Sequence, residues 1–297
     1  MSIRRLVRKW FVDGKLRGVG ATLYNSLIAV ELAWQRVLDV LPAGGKTQDQ
    51  ALVNRHLTAV VKTFERPQVL RRLLAGIQRE YPSLQVIVVD DSRAPVRFDG
   101  VRTIVMPYDS GVSAGRNEGL KQVATKYVLV LDDDFVFYRH TALEPALALM
   151  ERHPEIDIMG GQVVDLPFFE TTDYRTAALW PTEAKPTLPP GSRIGGLPVY
   201  DKVANFFIGR TDRIRLVSWE PALKRLDHAD FFTRAKGVLT TVFNPDLVCL
   251  HARTPFDDAY MQKRTDYVAE TALLKFMYNR ARYVAYEDGK KTGKERD

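Results

Sequence analysis

Two apolar runs, Val86-Ile87-Val88-Val89 and Tyr127-Val128-Leu129-Val130-Leu131, each stop on consecutive aspartates, Asp90-Asp91 and Asp132-Asp133-Asp134. Runs this short, without polar alternation, suit strands buried on both faces, the condition of a parallel sheet covered by helices. The intervening segments agree. A β-branched run from His56 to Lys62 precedes Pro67, which fits the first turn of a helix over 68–79. A third strand is expected near 103–106, and Gly111 opens a helix over about 113–124. Strands alternating with helices predict a doubly wound α/β sheet with helices on both faces. In such sheets ligands bind at the carboxyl ends of the strands, where these aspartates stand.

Beyond Gly160-Gly161 the alternation weakens. Residues 165–200 hold six prolines together with Phe168, Phe169, Tyr174 and Trp180, which suits a lid or recognition loop better than a plain connector. Regular structure is expected again over 202–208, in a helix over 229–235, in strands over 239–243 and 247–250, and in a helix from Asp258 to about Ala281. Three parts follow: a basic helical extension and linker over 1–50, a catalytic domain over 51–285, and a charged tail over 286–297 expected to be disordered.

The net charge of +7 invites a nucleic-acid partner, but its location argues against one. Residues 1–17 carry six Lys/Arg against Asp13, a net +5, and the tail is balanced, so the body is near neutral. The segment from Leu23 to Leu41 is too polar to span a bilayer and too interrupted for a signal peptide. Leu23, Leu27, Val30, Trp34, Val37, Leu38 and Leu41 instead recur at helical spacing. That stripe either packs on protein or, with Trp10, Phe11 and the basic residues before it, rests on a membrane surface. The expected location is cytoplasmic, with peripheral contact at the inner membrane surface through residues 1–41. The single cysteine, Cys249, lies in an apolar run and reads as a buried hydrophobe.

Three strand-end motifs carry chemistry. Asp132-Asp133-Asp134 repel one another unless a cation offsets them, and hard oxygen donors favour Mg²⁺ or Mn²⁺, the ions that accompany nucleotide phosphates; the alternative is an acidic turn. Asp90-Asp91-Ser92 is equally well a turn or a site in which one carboxylate accepts the imide N–H of a uracil. Ser110-Gly111-Val112-Ser113-Ala114-Gly115-Arg116-Asn117 brings a glycine turn into a helix with a cation in its first turn, which suits a diphosphate.

Taken together, Thr63-x-x-Arg66, Val89-Asp90-Asp91-Ser92, Gly111-x-x-Ala114-Gly115-Arg116-Asn117 and Leu131-Asp132-Asp133-Asp134-Phe135 resemble the nucleotide-sugar half of a GT-A glycosyltransferase of the family 2 type. With Lys62-Thr63-Phe64, Gly160-Gly161 and Val203-Ala204-Asn205-Phe206-Phe207, the chain is similar, over about 57–255, to the ganglioside-type β-1,4-N-acetylgalactosaminyltransferases. It departs from them in having Val112-Ser113 where they usually carry an aromatic residue. The resemblance implies a Rossmann-like mixed sheet and an inverting, metal-dependent transfer of a hexosamine, N-acetylgalactosamine foremost, from a UDP-sugar donor to a glycan or glycolipid acceptor. It implies donor contacts from Thr63, Arg66, Asp91, Arg116, Asp132 and Asp133, and a Mn²⁺ or Mg²⁺ held by Asp132, Asp134 and His251. It also implies Asp230 as the general base, with Asp227 its rival; without it, the pair reads as a helix cap.

Overall fold

The computed structural model describes residues 14–38, 50–175, 178–189 and 191–287, the last eight by backbone alone. The basic residues Arg4, Arg5, Arg8 and Lys9, with Trp10 and Phe11, and the tail 288–297 lie outside the described residues. Helix α1 (Arg17–Leu38) is followed by α2 (Ala51–His56), β1 (Leu57–Thr63), α3 (Pro67–Glu80), β2 (Gln85–Asp90), β3 (Arg102–Val105), α4 (Val112–Lys121), β4 (Tyr127–Asp132), β5 (Phe135–Val136), α5 (Leu143–Arg152) and β6 (Ile158–Asp165). Short strands β7 (Glu170–Thr171), β8 (Arg193–Ile194) and β9 (Leu197–Pro198) occupy the Pro-rich stretch. The chain then forms β10 (Phe207–Arg210), α6 (Thr211–Val217), α7 (Asp227–Ala235), β11 (Thr241–His251), α8 (Asp258–Arg264) and α9 (Val268–Glu287).

Apart from β8 and β9, which pair with each other, the described strands build a mixed sheet in the order β3-β2-β1-β4-β10-β6-β11-β5, with β7 on β6. β1, β2, β3 and β4 pair in parallel. β10 runs antiparallel between β4 and β6, so β6 and its parallel partner β11 point the same way as the first four. Because successive side chains in a strand face opposite sides, the apolar runs feed two cores at once. Leu57, Ala59 and Val61 of β1, Val86 and Val88 of β2, and Tyr127, Leu129 and Leu131 of β4 meet the apolar faces of α2, α3 and α5. Val60, Ile87, Val89, Val128 and Val130 meet α4, α6 and the Phe231-Phe232 pair of α7. The doubly wound expectation is met, with antiparallel β10 making the sheet mixed.

Three segments differ from the sequence reading, the first being 202–208, where regular structure begins only with β10 at Phe207. The strands expected over 239–243 and 247–250 are one strand, β11, whose register against β6 shifts between Asn244 and Val248. Pro245 has no N–H to give the ladder, and a bulge absorbs it. The helix expected from Asp258 breaks at 265–267, so α8 is a separate two-turn piece capped by the Asp257 carboxylate, which accepts from the Tyr260 amide at 3.0 Å. Among the described residues no helix is long and apolar enough to cross a membrane.

Gly161 of β6 lies where a side chain would have no room: a Cβ there would stand 2.4 Å from the Leu247 carbonyl oxygen and 2.6 Å from the Phe206 ring. Gly161→Ala is expected to lower stability by about 1–3 kcal/mol, measured as a shifted urea midpoint with native circular dichroism; an unchanged midpoint would contradict this packing.

Candidate active site

Parallel pairing brings the carboxyl ends of β1, β2, β4, β6 and β11 to one edge, and with them Thr63, Asp90, Asp132, Asp165 and His251. A cleft of about 230 Å³ opens there, closed on its far side by residues of α7 and α8. Its walls carry seven Lys/Arg side chains and six aspartates, so the charges nearly balance within the protein.

Lys62 and Asp91 form a buried ion pair beneath the cleft. The ammonium also donates to the Thr63 carbonyl at 2.7 Å, and the second Asp91 oxygen accepts the Gly111 amide at 2.8 Å. Asp91 thereby ties the N-terminus of α4 to β1. Burial lowers the Lys62 pKa while Asp91 pulls it back up. Gly115 makes the route possible, since a Cβ there would fall 2.2 Å from Lys62 Cδ. Asp90 is the turn-former of the pair: its two oxygens accept the amides of Ser92 at 2.9 Å and Val96 at 3.2 Å.

The triple-aspartate turn is held by two arginines. Arg66 pairs with Asp133 and, at 3.1 Å, with Asp134, while its guanidinium stacks 3.8 Å from the Tyr260 ring centroid. Thr63 Oγ1 donates to the other Asp133 oxygen at 2.8 Å. Arg116, fully buried, bridges Asp132 to Asp227 of α7. The Nε atoms of Arg66 and Arg116 are buried and donate to nothing among the described residues.

β5 folds back beside β11, setting Phe135 opposite His251 in register. His251 Nε2 then faces Asp134 Oδ1 at 3.1 Å while Nδ1 meets Asp165 Oδ1 at 2.7 Å. Burial opposes charge on the imidazole, but Asp134 and Asp165 outweigh it and raise the pKa to about 9. Asp134 is held well below the usual carboxylate range, burial being overcome by His251 and Arg66. Asp134 and His251 suit a divalent cation as an adjacent oxygen and nitrogen donor, the imidazole being oriented by Asp165 on its far nitrogen. Asp132 does not join them, because its carboxylate turns to Arg116, and among the described residues no three His, Cys, Asp or Glu side chains converge on one point.

Thr63, Arg66, Asp91, Arg116, Asp132, Asp133, Asp134 and His251 all line the cleft; Asp230 does not. Asp230 is wholly buried behind α7, with one oxygen held by Arg234 at 2.7 Å and the other accepting from the Tyr278 hydroxyl at 2.6 Å. One helical turn separates it from the carboxylate that does face the cleft, Asp227, whose pKa is raised by burial against the pull of Arg116. The sequence reading passed over His228 as well. Its Nε2 lies 2.6 Å from the Val203 carbonyl, so that nitrogen carries the proton, and burial beside Lys202 lowers its pKa to about 3. Tyr260, Lys263 and Arg264 of α8 were also missed; their only signal was a Lys-Arg pair in what read as one continuous amphipathic helix.

The Glycosyl transferase family 2 model matches residues 58–214, a span that contains every cleft residue from Thr63 to Asp134. Beta-1,4 N-acetylgalactosaminyltransferase 1 of Homo sapiens is 39% identical over 225 residues, 71% of this chain and 41% of that protein. Beta-1,4 N-acetylgalactosaminyltransferase 2 of Mus musculus is 35% identical over 250 residues, 79% of this chain and 47% of that protein. The chain thus spans less than half the length of these curated relatives. Among solved structures, TarS residues 1–349 of S. aureus in complex with UDP superposes with a TM-score of 0.52 at 18% identity, covering 67% of this chain and 61% of that one, a likeness of fold.

Asp230→Asn removes the charge that Arg234 and the Tyr278 hydroxyl bond to at a wholly buried position, so it is expected to cost about 1–3 kcal/mol of stability, read by thermal and urea unfolding. Full stability would contradict a structural role for this carboxylate.

Proposed function

Because the chain belongs to glycosyl transferase family 2, we propose that it moves an N-acetylhexosamine, N-acetylgalactosamine foremost, from a UDP donor to a hydroxyl of a glycan or glycolipid, with inversion at the anomeric carbon. The observation that carries this reading is the 35–39% identity to β-1,4-N-acetylgalactosaminyltransferases over a segment that includes the donor side of the cleft. We assign Thr63 and Asp91, which line the cleft, to the uracil, and Arg66 and Arg116, which offer guanidinium charge, to the diphosphate. The near-balanced cleft leaves a bound diphosphate short of positive charge. Asp134 and His251 are the side chains that would hold Mn²⁺ or Mg²⁺, and such an ion, when bound, supplies the missing compensation for charge developing on the leaving group.

Inversion needs a base beside the acceptor hydroxyl, on the face opposite the leaving UDP. We assign this role to Asp227 in place of Asp230, since only Asp227 faces the cleft. In one displacement its carboxylate takes the hydroxyl proton, the acceptor oxygen bonds to the anomeric carbon, and the electron pair of the breaking bond leaves with UDP. A carboxyl with a raised pKa is the better acceptor of that proton. His228, neutral and held by Val203, lines the same wall and offers Nδ1 as an acceptor.

Release of UDP from UDP-N-acetylgalactosamine, UDP-N-acetylglucosamine, UDP-galactose and UDP-glucose with Mn²⁺ present tests the donor. Turnover is expected to be greatest with the first; preference for UDP-galactose or UDP-glucose would overturn the hexosamine assignment, and no binding of any would overturn the transferase reading. Asp134→Ala should abolish turnover while the protein still folds, with native circular dichroism but a lowered urea midpoint because Arg66 and His251 lose their partner, and full activity of the wild type in chelator would exclude the metal. Asp227→Asn should lose about 10²- to 10⁴-fold in kcat while still binding UDP, whereas near-normal kcat would return the base to another residue.

A further inference from the structure

Helix α1 is apolar on two sides, and only one of them is used. Tyr24, Ile28 and Leu32 turn inward: Ile28 packs with Val136, Leu166, Leu250 and Ala252, and Tyr24 meets the Phe256 ring at 5.5 Å and donates to the Leu166 carbonyl at 3.3 Å. On the opposite side Val19, Leu23, Leu27, Val30, Trp34 and Val37 are each more than half exposed, Val30 by 67%. At 100° per residue these six fall within a stripe about 80° wide, uninterrupted by charge. A second apolar feature adjoins the helix. The turn after β6 buries Leu166 beneath Ile28 and leaves Phe168 and Phe169 exposed, Phe168 by 69%. Exposed apolar surface on this scale marks an interaction face.

We infer that the α1 stripe and the Phe168-Phe169 turn dock on an anionic lipid surface. Charge selects this occupant. Residues 1–17, which lead into the helix, carry a net +5, and each basic residue held near an anionic membrane improves partitioning about fivefold. Apolar insertion and charge attraction together provide the two signals that stable peripheral binding needs. Trp34 and the two phenylalanines are residue types that favour the interfacial layer. A second copy of the chain fits less well: a seam between two α1 helices would leave the +5 segment and the Phe168-Phe169 turn without a partner.

The docking face is joined to the site. Asp165, which holds His251, immediately precedes the Leu166–Phe169 turn, and Leu250 of the α1-binding cluster immediately precedes His251. Docking there holds the site on the membrane, which suits an acceptor sugar carried on a lipid. This last step rests on the proposed transferase activity; membrane binding itself does not.

Co-sedimentation of the full chain with vesicles of phosphatidylcholine alone and of phosphatidylcholine with phosphatidylglycerol at equal parts tests the inference. At 50 mM NaCl at least tenfold more protein should pellet with the anionic vesicles, and 500 mM NaCl should weaken the binding. Leu27→Asp with Val30→Asp, at exposed positions, should reduce binding at least tenfold, as should Arg4→Glu with Arg5→Glu and Arg8→Glu, while UDP-sugar hydrolysis without vesicles stays unchanged. Wild-type protein that remains in the supernatant with anionic vesicles at low salt would overturn the inference. So would a stripe variant that binds as well as wild type, or a wild-type dimer that the stripe variant converts to monomer without any vesicle binding. Absence of UDP-sugar turnover would count against the transferase activity alone, because vesicle binding is read independently of it.

Discussion

Six aspartates line the cleft at one edge of the sheet, and the fold tolerates five of them because Lys62, Arg66 and Arg116 reach them from inside, while the sixth, Asp109, pairs with Lys224 and Arg225. Lys62, Arg66 and Arg116 are nearly or wholly buried, so each has lost its hydration and depends on its carboxylate partners for compensation. The pairs also determine where the backbone goes. Lys62–Asp91 joins β1 to the entry of α4, Arg66 clamps the Asp133-Asp134 turn to the loop after β1, and Arg116 ties β4 to α7. Site and scaffold are therefore one electrostatic unit.

The sheet supplies the constraint beneath that network. Only strands running the same way deliver their carboxyl ends to a common edge, and antiparallel β10, inserted between β4 and β6, lets the second group of strands return in the same direction as the first. Gly115 and Gly161 permit the closest approaches in this arrangement, one for the Lys62 side chain and the other for the Leu247 carbonyl and the Phe206 ring. The same geometry links the cleft to α1 through β11, whose Leu250 and His251 face the helix cluster and the site in succession.

Much of this was legible beforehand. The unalternating apolar runs required strands covered on both sides, and the aspartates at their ends marked the edge where the cleft opens. Eight of the nine residues named from sequence as site residues line the cleft, because strand ends and the first turn of α4 are local features that a motif can locate. Asp230 was the exception. Asp227 and Asp230 stand in one helical turn, and sequence alone does not tell which side of that turn meets the cleft; the packing of Phe231 and Phe232 into the core, with Arg234 and Tyr278 waiting behind, turns Asp230 inward. Tyr260, Lys263 and Arg264 escaped notice because they reach the cleft from a short helix far along the chain.

The sequence by itself determined the element types, the doubly wound layering and the polar strand termini, since these follow from side-chain periodicity and from the cost of burying unpaired polar groups. Tertiary structure alone decided the partners. That Arg116 would be shared between Asp132 and Asp227, that His251 would stand between Asp134 and Asp165, and that one apolar side of α1 would be covered and the other left open all depend on contacts across many tens of residues. Charge pairing and apolar contact act between surfaces brought together by folding, and neither distance nor facing direction is written in the local order of residues.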